Sequence, residues 1–113
     1  MSTRSRIKLM HHGKALGAIY YFMDGHIWNF APELLKALRE TTPQSILANS
    51  LLINLMGSYA LEADGERDEN LDFLCEVDLS FEDYVIRLHE WHKGIVFEGN
   101  LAEFSEKYDK GNN

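Results

Sequence analysis

Hydrophobic and polar residues alternate along this chain in two patterns, one with the period of a strand and one with the period of a helix. The period-two pattern predicts strands over residues 5–10, 15–22, 71–79, 84–91 and 95–98. Glycine-containing turns separate the first two strands and the last two, so each of these pairs is predicted to form a hairpin. In the first strand we expect the apolar side chains to face inward and Arg6 and Lys8 to face outward.

The most apolar predicted helix covers residues 43–56, and the fold is expected to be organised around it. Thr42 is a suitable N-cap, Pro43 suits the first helical position, and Gly57 suits the stop. Because large apolar residues cover most of its circumference, we expect this helix to be buried on several sides and to support the sheet.

Two further helices begin after asparagines that can act as N-caps. Asn29 precedes residues 31–40, and Asn100 precedes residues 101–108. The elements together predict one α+β domain over residues 1–113: an antiparallel sheet of about five strands, two central helices packed on one face, and a short C-terminal helix. A chain of 113 residues can build such a core without disulfides or metal.

Cysteine content and hydropathy indicate a soluble protein of the cytoplasm. Cys75 is the single cysteine, so no internal disulfide can form, and the strand pattern predicts that it is buried. The N-terminal residues are polar and basic rather than those of a signal peptide, and residues 43–56 are too few to span a bilayer.

The formal net charge of −7 is distributed unevenly. Residues 62–83 contain ten acidic residues and one arginine, and residues 62–70 are predicted to form a charged loop. This acidic surface is expected to bind a protein with a basic surface, and its predicted contact residues are Glu62, Asp64, Glu66, Asp68, Glu69 and Asp72. Direct binding of nucleic acid is disfavoured by the overall charge.

Residues 1–20 have the opposite character, with four basic residues and no acid. Hydroxyl and guanidinium groups at the N-terminus suit a phosphate or carboxylate, and nearby rings, including Trp28, offer stacking faces. This alternative predicts a site for a nucleotide-like anion formed by Thr3, Arg4, Ser5, Arg6, Tyr20 and Asp24.

Motifs for catalysis or metal binding are absent from the sequence. There is no glycine-rich phosphate loop, nucleophile elbow or cysteine–histidine signature. His89 and His92 are three apart near a strand end, which is a poor spacing for two metal ligands on one face. The sequence therefore predicts a non-enzymatic protein without a metal or cofactor.

Three short segments resemble those of a known group of proteins: Ser2-Thr3-Arg4-Ser5, Ile19-Tyr20 and Asp24-Gly25. The first quarter of the chain resembles a group of small proteins of bacteriophages and bacteria that open with STRS and continue with isoleucine–tyrosine and a histidine–tryptophan–aspartate–glycine–tyrosine run. In this chain Phe22 and Met23 replace the histidine and tryptophan of that run, and His26 replaces its final aromatic residue.

The resemblance implies a phage-type accessory protein in a bacterial host, a class that often interferes with host machinery. Combined with the acidic surface, it predicts a non-enzymatic inhibitor of a host factor, in the manner of anti-defence or anti-CRISPR proteins. The alternative is a protein that sequesters a nucleotide-like anion. A homo-oligomer is expected in either case, because residues 43–56 are more apolar than one small domain needs.

Overall fold

The computed structural model describes residues 3–21, 26–49, 60–62 and 71–109. The described helices and strands, in chain order, are β1 Ser5–His11, β2 Lys14–Tyr21, α1 Ile27–Arg39, α2 Pro43–Asn49, β3 Ala60–Glu62, β4 Phe73–Asp78, β5 Val85–Glu90, β6 Gly94–Gly99 and α3 Leu101–Tyr108. In this part of the chain no helix is both long enough and apolar enough to cross a membrane.

The strands form one mixed sheet in the order β3-β2-β1-β4-β5-β6. Every neighbouring pair is antiparallel except β1 and β4, which are parallel. The prediction of an α+β fold is confirmed, and the sheet is mostly antiparallel. The expectation of a purely antiparallel sheet is wrong. A parallel pair needs a long crossover connection, and the chain between β1 and β4 is long enough to supply it.

The predicted hairpins are confirmed, and their turns use left-handed backbone conformations. His12 and Gly13 have φ values of 49° and 80° between β1 and β2, while His92 and Gly94 have 66° and 78° at the turn into β6. Only a residue that tolerates positive φ suits these positions. The sequence pattern did not predict β3, since Glu62 was assigned to a loop and instead ends this short strand.

The helix that covers the sheet is α1. Its buried residues are Ile27, Phe30, Ala31, Leu34, Leu35, Ala37 and Leu38, and they join strand residues in one core cluster. The predicted start at residue 31 with an Asn29 cap is wrong, because the helix begins at Ile27 and His26 is the cap. The apolar pattern extends one turn further towards the N-terminus than the standard cap residues indicated.

Of the helix predicted over residues 43–56, the structure describes only the part that forms α2. Its predicted start is confirmed, since the Ser45 backbone N–H donates to Thr42 Oγ1 at 3.2 Å. Ile46 is 2% exposed and belongs to the core cluster. The rest of the predicted helix and its stop at Gly57 lie outside the described residues, so its central role stays a prediction.

The C-terminal helix α3 has the predicted bounds and cap. Asn100 Oδ1 accepts from the Glu103 backbone N–H, and Glu103 Oε1 accepts from the Asn100 backbone N–H, both at 2.9 Å. This capping box fixes the helix start. Phe104 is fully buried in the core, and Arg39 at the end of α1 pairs with Asp109 at 2.8 Å, so α3 packs beside α1.

The sheet face opposite α1 carries more polar residues but is partly buried. Arg6 lies on this face, where Tyr20 and Leu74 are its cross-strand neighbours. The expectation that its side chain faces solvent is wrong, because Arg6 is only 2% exposed. The alternation of polar and apolar residues therefore predicted the face of the sheet on which Arg6 lies. It did not predict that the Arg6 side chain is buried.

Leu35→Ala is expected to lower the free energy of unfolding by about 2–5 kcal/mol, because it opens a cavity between α1 and the sheet. The neighbouring exposed substitution Lys36→Ala is the control and should change it by less than about 0.5 kcal/mol. Urea unfolding of both variants measures the difference. Equal stabilities would contradict the role of α1 as the covering helix.

Candidate functional site

A cleft of about 420 Å³ opens at the end of the sheet where the start of α1 meets the end of α3. We call it the aromatic cleft. Its lining comes from α1 and its cap, β4, β5, β6 with the preceding turn, and α3: His26, Ile27, Trp28, Phe73, Leu88, Glu90, Lys93, Val96, Lys107 and Tyr108. The volume lies within the range of about 300–1,000 Å³ that is usual for small-molecule sites.

Two rings form the wall between the helices. Trp28 lies in the first turn of α1 and Tyr108 in the last turn of α3, with ring centroids 5.3 Å apart and planes tilted by 56°. Phe104 supports Tyr108 from the core at 4.9 Å, whereas Trp28 is 43% exposed. A ring supported from behind, next to an exposed ring, offers an apolar face for a planar ligand.

His26 caps α1 at the mouth of the cleft. Its Nδ1 accepts from the Trp28 backbone N–H at 3.3 Å, which places the imidazole proton of the neutral ring on Nε2. Its ring also meets the edge of Phe73 at 5.3 Å. The first turn of α1 contains no acidic residue.

Two ammonium groups and one carboxylate line the cleft. Lys107 Nζ donates to the Val96 carbonyl at 3.2 Å and lies 5.4 Å from the centre of the Tyr108 ring. Lys93 Nζ lies 2.6 Å from Glu90 Oε2, and the Lys93 side chain is 65% exposed. The cleft is therefore a region with more positive than negative side chains in a chain whose formal net charge is −7.

The hydroxyl of Tyr108 stays protonated at neutral pH. Burial, and then the neighbouring Cys75 and Glu90, raise the pKa of Tyr108 above its ordinary value. The ring therefore presents a neutral phenol to a ligand and adds no negative charge to the cleft.

Two smaller cavities adjoin the aromatic cleft. The Thr3 cavity, about 220 Å³, is lined by Thr3, His26, Asp72, Phe73, Glu90 and Trp91. The Trp91 cavity, about 270 Å³, is lined by Leu71, Asp72, Leu74, His89, Glu90, Trp91, His92 and Gly94. Glu90 lines all three cavities. The Trp91 cavity also includes Leu74 and His89, which lie on the sheet face opposite α1.

The structure describes five members of the predicted anion site, which consists of Thr3, Arg4, Ser5, Arg6, Tyr20 and Asp24. Thr3 lines the cavity named after it, and the Arg4 side chain is exposed. Ser5 is fully buried, while Arg6 and Tyr20 are partners on the opposite face of the sheet. Asp24 lies outside the described residues, so the anion site stays a prediction.

The predicted acidic partner surface is described at two of its six positions. Glu62 ends β3, and the other four lie outside the described residues: Asp64, Glu66, Asp68 and Glu69. The Asp72 carboxylate accepts from the Arg4 backbone N–H at 2.8 Å, which fixes it at the start of the sheet. Asp72 also lines the Thr3 cavity and the Trp91 cavity.

His89 and His92 contact different side chains. His89 Nε2 lies 2.9 Å from Glu76 Oε1, and the His92 ring packs against Trp91 with centroids 4.5 Å apart. Within residues 3–21, 26–49, 60–62 and 71–109, no group of three potential metal-ligating side chains comes together.

Sequence reasoning missed most of the aromatic cleft. Trp28 was considered as a stacking face, but His26, Lys93, Lys107 and Tyr108 were not considered as ligand residues. They come from three separate parts of the chain, and no local motif connects them. Comparison with protein-family models, curated proteins and solved structures found no match to this chain.

A separate ion-pair network crosses β4, β5 and β6. Arg87 binds Asp78 at 3.1 Å and Glu98 at 2.9 Å, and the Ser80 hydroxyl donates to Asp78 at 2.6 Å. Burial alone would raise the pKa of Asp78, but the hydrogen bonds from Ser80 and Arg87 outweigh it and hold that pKa below its ordinary value of 3.8. The charged groups of this network bind one another, and their hydrogen bonds connect three strands.

Asp78→Asn is expected to lower the free energy of unfolding at pH 7 by about 1–3 kcal/mol, because charge-assisted hydrogen bonds are lost. A depressed native pKa stabilises the fold above about pH 4, and this contribution disappears as the pH falls through the native pKa. Urea unfolding should therefore show a smaller difference from wild type at pH 3 than at pH 7. The exposed change Glu82→Gln is the control, and a difference independent of pH would contradict the assignment.

Proposed function

We propose that this protein binds a small planar anion of the nucleotide-like class in the aromatic cleft. The observation that supports the proposal is the convergence of two lysines and an aromatic wall on a single open cavity. Cavities with an apolar lining and a few converging polar groups are the usual form of ligand sites.

In the proposed complex the planar group of the ligand packs on Trp28 beside Tyr108. The exposed face of Trp28 supplies the stacking surface, and stacking on aromatic side chains accepts any base because every base has a π-face. The anionic group lies towards Lys107 and Lys93. Both ammonium groups retain freely accessible surface, and a phosphate or carboxylate would gain a charge-assisted hydrogen bond from each.

The cleft favours binding over catalysis. Its lysines contact Val96 and Glu90, and its described lining residues include no serine, threonine or cysteine. Cys75, the single thiol, is fully buried, and burial raises its pKa far above neutrality. A buried thiol with a raised pKa is a poor nucleophile. We therefore propose that the protein holds its ligand without altering it.

A mixture of AMP, GMP, CMP and UMP at millimolar concentration is expected to raise the melting temperature of the protein. Lys107→Ala should weaken binding by about tenfold or more, because one charge-assisted hydrogen bond is lost. Thermal shift and calorimetric titration measure both effects. Lys14→Ala, which removes an exposed lysine on the first hairpin, is the control and should bind like wild type.

Absence of a shift with all four nucleotides would contradict the proposal. Equal weakening by Lys107→Ala and Lys14→Ala would also contradict it, since that result indicates only a general effect of net charge.

A second proposal is the non-enzymatic phage-type inhibitor that binds a host factor through an acidic surface. The observation that favours it is Phe81, which is 55% exposed and is followed by the exposed acids Glu82 and Asp83. Exposed aromatic residues often anchor protein interfaces, and acidic neighbours favour a partner with a basic surface. This loop follows β4 and lies at the opposite end of that strand from Asp72.

If the second proposal holds, the immobilised protein should retain a host protein at low salt and release it at high salt. The double change Glu82→Lys plus Asp83→Lys should abolish retention, as should Asp68→Lys plus Glu69→Lys. The double change Glu40→Lys plus Glu106→Lys reverses the same amount of charge at exposed positions elsewhere and should have little effect. Retention that is insensitive to salt and to the first two variants would contradict an acidic docking surface.

A further inference from the structure

We infer, on the basis of the proposed function, that the planar group of the ligand is a guanine-type base and that the Glu90 carboxylate selects it. Three features of the aromatic cleft support this specificity. They are the position of the Glu90 carboxylate, its contact with Lys93, and the pattern of hydrogen-bond donors and acceptors that the pair presents to the cleft.

The Glu90 side chain lies on the face of the sheet that α1 covers. Glu90 ends β5, and its cross-strand partner in β4 is Phe73. Directly opposed residues of an antiparallel pair share a face, and the Phe73 ring meets Phe30 of α1 with centroids 6.5 Å apart. Glu90 therefore points to the side of the sheet on which the cleft opens, and it is the single carboxylate among the described lining residues.

The Glu90 carboxylate also lies close to the aromatic wall. After burial and the neighbouring Cys75, the charge of Glu90 is a further cause that raises the pKa of Tyr108. The centre of the Tyr108 ring is in turn 5.3 Å from that of Trp28. A base that packs on Trp28 beside Tyr108 can therefore turn one edge towards Glu90.

Lys93 and Glu90 together present a donor next to two acceptors. Lys93 Nζ lies 2.6 Å from Glu90 Oε2, and an ammonium group has further N–H donors for a ligand. An ionised carboxylate only accepts, and each of its oxygens has more than one lone pair, so both Glu90 oxygens can still bind a ligand. The Glu90 side chain is 28% exposed, which leaves it accessible from the cleft and partly shielded from water.

Guanine is the common base that complements this pattern. Its Watson–Crick edge presents the O6 acceptor next to the N1–H and N2–H donors. Adenine and cytosine have an acceptor nitrogen beside the amino group, and uracil has carbonyls on both sides of its N–H, so an acceptor would face the carboxylate. A site built to hydrogen-bond a ligand rejects one that leaves its polar groups unpaired. This assigns Lys93 to the base and leaves Lys107 to bind the anionic group.

Calorimetric titration of the full chain with GMP, IMP, AMP and XMP at pH 7 tests the specificity. IMP lacks the amino group of guanine, so GMP should bind about tenfold more tightly than IMP, because one hydrogen bond to a charged group is lost. AMP should bind more weakly still. XMP should bind poorly, since its O2 acceptor would face the Glu90 carboxylate.

Glu90→Gln should reverse the order of GMP and XMP. The glutamine amide has one acceptor and one donor, which match N1–H and O2 of xanthine but leave a donor facing the amino group of guanine. Because the variant also loses a negative charge, all four affinities can rise, so the measured quantity is their ratio. The GMP-to-IMP ratio should fall to about one. Glu106→Gln, at an exposed position of α3 outside the described cleft lining, is the control and should keep the wild-type ratio.

The outcomes separate this inference from the proposed function. If GMP, IMP and AMP bind equally well and all depend on Lys107, the base specificity is wrong and the nucleotide site stands. If the preference for GMP persists in Glu90→Gln, another group reads the base and the role of Glu90 is overturned. If none of the four nucleotides binds the wild-type protein, the proposed function is wrong and the inference falls with it.

Discussion

The parallel pairing of β1 with β4 is the constraint on which the rest of the structure depends. The N-terminal hairpin and the C-terminal strands each form through local contacts, and only this pairing joins them into one sheet. Asp72 fixes its start, since its carboxylate and its backbone N–H both bind the backbone of Arg4. Its carbonyl also accepts from the Trp91 backbone N–H, so one residue connects β1, β4 and the end of β5.

The same pairing creates the two unlike faces of the sheet. Ile7, Ile19 and Cys75 are in register across three strands and meet α1 on the core side. The other side carries the network of Arg87, which is satisfied within the sheet and tolerates partial exposure. Apolar burial on one face and paired charges on the other therefore stabilise the sheet by different means.

The cavities form where these elements end. The start of α1, the end of β5 and the end of α3 meet at one end of the sheet, and each contributes an aromatic or charged side chain to the cavities there. Trp28 and Trp91 are the clearest examples, because both are large rings left substantially exposed beside a well-packed core. Such exposure commonly marks a surface that binds something else.

Local sequence determined the hairpins, their turns, the strand faces and the cap of α3, because each depends on residues close together in the chain. The Asn100–Glu103 capping box and the Gly13 turn are of this kind. Local patterns did not determine that β1 and β4 pair in parallel or that Arg6 is buried. Only the tertiary structure brings Lys93, Lys107 and Trp28 to one cleft, because their proximity depends on how distant elements pack and leaves no periodic signal in the sequence.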